Sequence, residues 1–174
     1  ITHEALLKIL GEPELAVRRA VALAIGTINA PGAADALVNA YRFDDGKDVY
    51  LTDGYLRAIE RTGNAGIQAL INLATSGSDA NIQKVVDAFA ALRIPEAAAA
   101  IPVLLGNPHL TIEQRATVIA SYANYQTDPP ISLEPLLAYL ERNPNEARDV
   151  QLAALRTLAL GASIRNPRPH LLLG

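Results

Sequence analysis

Five apolar residues recur along this chain at a fixed step of 33: Leu23, Leu56, Phe89, Tyr122 and Leu155. The first lies in VRRAVALAIGTI at 17–28. The turn-forming run Asn29-Ala30-Pro31-Gly32 separates that stretch from ALVNAY at 36–41. A second set, Val38, Ile71, Pro102 and Pro135, falls at steps of 33, 31 and 33. Two registers that share a period but not their residues leave chance a weak explanation. A period of this size marks a chain built from one supersecondary unit repeated, each copy burying its apolar face on the next. The expected fold is all-α, an α-solenoid of about four to five helical hairpins wound as an α-α superhelix.

Breakers and caps place the hairpins at about 14–42, 48–76, 79–106 and 111–142, with a half repeat at about 146–160. HEALLKIL at 3–10 reads as the second helix of a preceding hairpin. In the first full hairpin, Leu15, Val17, Ala20, Val21, Ala24 and Ile28 are expected inward on one helix, and Ala36, Leu37, Ala40 and Tyr41 on the other. Pro13 and Pro95 suit a first helical turn. Gly63 and Gly77 sit where a left-handed residue ends a helix. Thr111 with Gln114 three residues on makes a capping box, Ser132 caps the helix after the loop QTDPPI, and Gly161 stops the last one. The array thus covers 1–161, and the Pro-containing tail 162–174 is a poor helix, partly disordered or docked on the final repeat.

Composition closes off several chemistries. Half the residues are hydrophobic, and few of these are aromatic, so close-packed helices are expected rather than a disordered chain. Cysteine is absent, which removes disulfides, thiolate nucleophiles and Cys-bound zinc. No apolar run approaches the ~20 residues of a membrane helix. The formal charge is −3, and the lysines are Lys8, Lys47 and Lys84 alone, so a nucleic-acid backbone is not the expected ligand. The chain also lacks Met and starts at Ile1, which makes it the expected product of processing or a piece of a longer parent.

Each residue that could carry chemistry also has a plainer structural role. His3, His109 and His170 lie in separate segments with no ligand at helical spacing, so no metal site is expected. Asp44-Asp45-Gly46-Lys47-Asp48 fails the calcium-loop pattern, because its third position is Gly46 and its sixth Val49; a solvated turn between repeats fits better. There is no nucleophile elbow, P-loop or dinucleotide fingerprint, and Ser76, Ser78, Ser121, Ser132 and Ser163 are accounted for by caps, turns and helix faces. Arg57 and Arg61 share a helix face with Glu60 nearby, as in a salt-bridged surface. Arg18-Arg19 reads as a structural pair ahead of an anion site, since exposed charged pairs usually contribute little. No enzyme and no cofactor are expected of this chain itself.

What remains is a surface. In stacked hairpins the second helices line the concave side, which solenoids use for partners. The outward positions there are Asp35, Asn39 and Arg42, then Gln68, Asn72 and Thr75, then Glu134, Ala138 and Glu141. Asn39 and Asn72 fall 33 apart, so their amides are expected to form a ladder. The neutral expectation is a non-catalytic protein-protein interaction or scaffold module that binds a protein partner or neighbouring domains of its own chain.

At this period ankyrin and tetratricopeptide repeats are the rivals, but the T-P-L-H-x-A opening and the Trp, Gly and Tyr pattern are both missing. VRRAVALAIGTI followed by a short turn and ADALVNA resembles HEAT repeats of the short, phycobilisome-lyase type. Ile101-Pro102 and Glu134-Pro135, near the start of second helices, add to the likeness, which runs from residue 3 to about 160. A narrower likeness rests on DGYLRAIERTGNAGIQALINLA, NPHLT and NYQTDPPISLEPLLAYL. These resemble the HEAT segment of large exported proteins of planctomycete-type bacteria, which lies between a dehydrogenase-like propeller and a haem-binding cytochrome domain. That resemblance implies a periplasmic or exported location and an accessory role in a larger redox enzyme; a lyase-like chaperone role is the other implied alternative. No C-x-x-C-H occurs here, and a base-excising HEAT-like enzyme would need a basic groove that this acidic chain lacks.

Overall fold

Spacing of apolar residues, not β-propensity, governs this sequence, and the outcome is helical throughout. A computed structural model of the protein describes residues 3–125 and 132–165. Among the described residues every regular element is a helix, and most of them pack against a neighbour in sequence order. None of these helices is long and apolar enough to cross a membrane. The QTDPPI loop, the tail from residue 166 and His170 lie outside the described residues.

The chain forms two compact units, Ile1–Ala88 and Phe89–Gly174. The first contains α1 (His3–Ile9), α2 (Leu15–Ile28), α3 (Ala33–Phe43), α4 (Val49–Arg61), α5 (Asn64–Thr75) and most of α6 (Asp79–Ala91). First helices stack on first helices and second on second: α2 packs along α4, and α3 along α5. Small residues bring α2 and α4 together. A Cβ on Gly26 would stand 2.5 Å from the Ala58 carbonyl oxygen, and one on Gly54 would stand 2.7 Å from Arg19 Cγ. Arginines then stitch the same seam. Arg19 Nε donates to the Tyr50 carbonyl (3.0 Å), and Arg61 Nη1 donates to the Leu23 carbonyl (3.1 Å) and Thr27 Oγ1 (2.8 Å).

The second unit continues with α7 (Pro95–Leu105), α8 (Ile112–Ala120), a 3₁₀ turn (Ser121–Asn124), α9 (Glu134–Arg142) and α10 (Arg148–Arg165). The same rule holds, with α8 along α10 and α7 along α9. Thr111 and Gln114 form the expected reciprocal capping box at the start of α8. Buried Tyr125 donates its hydroxyl to the Phe89 carbonyl (2.8 Å), while the Tyr122 hydroxyl is buried with no partner among the described residues.

Several local expectations change. The buried face of α2 is Val21, Ala22, Ile25 and Gly26, whereas Leu15 and Ile28 are 39% and 52% exposed. That helix is apolar nearly all round, so periodicity allowed two faces, and the small residues decided which one α4 approaches. On α3 the buried set is Ala33, Ala34, Leu37, Val38 and Tyr41, with Ala36 and Ala40 half-buried. Pro13 precedes the cap Glu14 and is not in the first turn. Ser132 sits one residue ahead of the cap Leu133, accepting the Glu134 N–H from there (3.2 Å). Pro102 lies towards the end of α7, where its missing N–H removes one helical hydrogen bond. Gly161 does not stop α10, which runs through it to Arg165, so four residues expected in the tail extend the helix. Asp44 is buried, not solvated.

Candidate functional site

The residues expected to face a partner are placed as follows. Asp35, Asn39 and Arg42 are exposed on α3, and Gln68, Asn72 and Thr75 are exposed on the adjacent α5. Glu134 and Glu141 are exposed on α9 of the second unit, with Ala138 half-buried between them. The amide ladder is not formed: Asn72 Oδ1 accepts from Gln68 Nε2 of its own helix (2.9 Å) instead of from Asn39.

An open concavity lies beside these helices, where the chain turns from α3 into α4. It is a cleft of about 710 Å³ lined by Leu15, Arg18, Phe43, Asp44, Lys47 and Tyr50 among others. Three of its carboxylates serve the turn itself. Asp48 caps α4 by accepting the N–H groups of Tyr50 (2.9 Å) and Leu51 (3.0 Å). Asp45 accepts from both the backbone N–H (3.1 Å) and the ammonium (2.7 Å) of Lys47, which holds its carboxyl below the usual range. Asp44 accepts the Thr52 hydroxyl, and its carbonyl receives Lys84 Nζ (2.6 Å). The same ammonium sits 4.9 Å over the ring of Tyr41, whose hydroxyl donates to the Lys84 carbonyl (3.1 Å). Burial, aided by the charges of Asp87 and Asp44, pushes the Tyr41 phenol far up.

The apolar part of the cleft is not so employed. Phe43, Val49 and Tyr50 are 72%, 67% and 74% exposed, with Leu15 beside them. The Arg42 guanidinium lies 5.0 Å over the Phe43 ring. Arg18, half-buried on α2, contributes a cation to the cleft wall beside Lys47, and its Nε is sheltered with no hydrogen-bond partner among the described residues. A buried donor left open is costly, by about 1–3 kcal/mol, until an acceptor reaches it. Sequence reasoning missed this cluster because it read 43–48 only as a polar loop. The available signal was the pair of aromatic residues, Phe43 and Tyr50, bracketing that loop.

A polar network lies in the second unit. Arg115 Nη1 donates to the Leu105 carbonyl (3.1 Å) and to the Tyr139 hydroxyl (3.3 Å), and Nη2 donates to the Asn107 carbonyl (3.3 Å). Tyr139 in turn donates to Glu146, which stands 3.6 Å from Arg115. The Tyr139 hydroxyl bond holds the Glu146 carboxyl below its usual value, with help from the Ala147 N–H and Arg115. Every member is committed to another, so the network ties α8, α9 and the start of α10 together and offers no open position for a substrate. Arg115 lies 24 positions before Tyr139, and no motif spacing marks the set.

The remaining candidates are structural. Arg57 pairs with Asp53 (3.2 Å) and with Glu60, and Arg61 and Arg19 hold α2 to α4 as described. His109 is exposed in a loop where its N–H donates to Asn107 Oδ1 (2.9 Å). Among the described residues no group of three or more His, Asp or Glu side chains converges on a metal-sized position.

No family model matches the chain, and no curated protein matches it. Among solved structures, it is similar to the crystal structure of an engineered protein, a target of the Northeast Structural Genomics Consortium. The identity is 18% and the TM-score 0.44, over 92% of this chain and 79% of the other.

Proposed function

We propose that this chain is a protein-interaction module, built of HEAT-like hairpins and without catalysis of its own, whose cleft between α3 and α4 receives a segment of a partner protein. The observation that carries this reading is the clustering of Leu15, Phe43, Val49 and Tyr50, all exposed, around one cleft. Exposed apolar side chains grouped at a concavity are typical of interaction surfaces, and Tyr, Phe and Arg are the side chains enriched there. Arg18 and Lys47 line the cleft, so the fitting segment pairs an apolar side chain with a carboxylate. The exposed polar side chains of α3 and α5, from Asp35 to Thr75, extend the surface as a rim.

A random-peptide display library panned on the protein tests this. Enriched peptides are expected to carry an apolar residue near an acidic one, and to bind a Phe43→Ser/Tyr50→Ser variant at least about tenfold more weakly. Failure to enrich any peptide, or equal binding to the variant, rejects the reading. Both residues project into solvent, so the variant should keep its fold.

A further inference from the structure

The loop that carries the cleft is held at both ends by cations from helices outside it. At its far end Arg19 Nε of α2 donates to the Tyr50 carbonyl (3.0 Å). At its near end Lys84 Nζ of α6, 40 residues on, donates to the Asp44 carbonyl (2.6 Å). Between them Asp45, Gly46, Lys47 and Val49 are exposed, so packing alone does not fix the loop. The two holds differ. Arg19 is itself exposed, whereas Asp44 is buried. The Asp44 carbonyl lies just past the end of α3 and receives no backbone N–H among the described residues. A buried carbonyl without a donor is costly, so the Lys84 ammonium is what makes this position of the chain tenable.

Lys84 is placed for that bond from both of its ends. Tyr41 of α3 donates its hydroxyl to the Lys84 carbonyl (3.1 Å), and the ammonium lies 4.9 Å over the Tyr41 ring. The nearby carboxylates are engaged elsewhere: Asp87 accepts from Gln83 Nε2 (2.8 Å), and Asp44 accepts the Thr52 hydroxyl. The charge of Lys84 still reaches the loop, adding to the Lys47 bonds that hold the Asp45 carboxyl low. We infer that Lys84 is the positioning residue of the cleft: reaching from α6 to the start of the loop, it fixes Phe43 and Tyr50 on either side in the shape that receives a partner segment. Lys84 bears on binding only if the cleft is the docking site proposed above, whereas its hold on the loop needs no partner.

Native-state trypsin digestion separates the two. The loop holds one tryptic bond, Lys47-Asp48, and cutting there requires the loop to open. Lys84→Met keeps the side chain's reach and removes the ammonium. It should raise cutting after Lys47 about tenfold, with far-UV circular dichroism unchanged. Cutting after the exposed Arg142 of the second unit should stay as in the wild type. Lys84→Arg, which again sets a charged donor over the Tyr41 ring, should restore most of the protection. Peptides selected on the wild type should bind Lys84→Met about tenfold more weakly and Lys84→Arg nearly as well. A measurement without any variant is brief acetylation of the wild type, which should mark the well-exposed Lys8 and Lys47 and spare Lys84. Equal cutting after Lys47 in wild type and Lys84→Met, an equal rise after Arg142, or acetylation of Lys84 as fast as Lys47 overturns the inference. So does a Lys84→Arg chain that opens like Lys84→Met, or peptide binding that Lys84→Met leaves unchanged. A wild type that enriches no peptide rejects the docking reading instead, and the hold on the loop is then decided by cutting alone.

Discussion

Two tyrosines three positions apart show how far identity is from role. Tyr122 and Tyr125 pack edge to face with ring centres 6.4 Å apart, and both are almost wholly buried. Only Tyr125 gives its hydroxyl a buried acceptor, the Phe89 carbonyl, whereas the Tyr122 hydroxyl finds none among the described residues. Burial, with the neighbouring Tyr125 adding to it, pushes the Tyr122 phenol far up. A satisfied buried hydrogen bond contributes about 1 kcal/mol, while an orphaned donor costs a similar amount or more. Tyr125→Phe should accordingly destabilise the protein by about 1 kcal/mol in urea unfolding, and Tyr122→Phe should be neutral or stabilising. A loss of equal size at both positions would show that shape, not the hydroxyl, sets the difference.

At the scale of elements, the decisive contact is α2 on α4, and it rests on what is missing from Gly26. Its Cα hydrogen faces the Ala58 backbone, where any side chain would meet main-chain atoms that cannot swing aside. Gly26→Ala should separate the two helices and strain the Arg19 and Arg61 bonds, costing about 1–3 kcal/mol by urea titration despite the better helix propensity of alanine. A gain in stability would mean that the seam is looser than its geometry. Hairpin order, most helix ends and the α8 capping box were legible in the sequence, because caps, turns and period act locally. The face of α2 was not, since a run such as VALAI is apolar in every direction and only the glycine chooses among them. The end of α10 was misjudged for a related reason: Gly161 costs a helix only about 1 kcal/mol, which its neighbours readily offset.

At the scale of the whole molecule, period predicted the all-α class and the sequential pairing of helices, yet it said little about where a partner would sit. The surface inferred from register, Asp35 through Glu141, is exposed but divided between two compact units. The cleft instead comes from a departure from the repeat, the loop at 44–48 with Phe43 and Tyr50 on either side. Repetition describes the scaffold, and the feature with binding potential is where repetition lapses.

Tyr41, Tyr55, Tyr122, Tyr125 and Tyr139 are each no more than 8% exposed, and Tyr50 is 74% exposed. With tryptophan and cysteine also absent, one phenol is left open to a water-borne reagent. Brief nitration should accordingly add a single nitro group, at Tyr50, and peptide mass mapping would locate it. The molecule thus carries a ready-made chromophore on the lip of its cleft, whose colour would report when that lip is occupied.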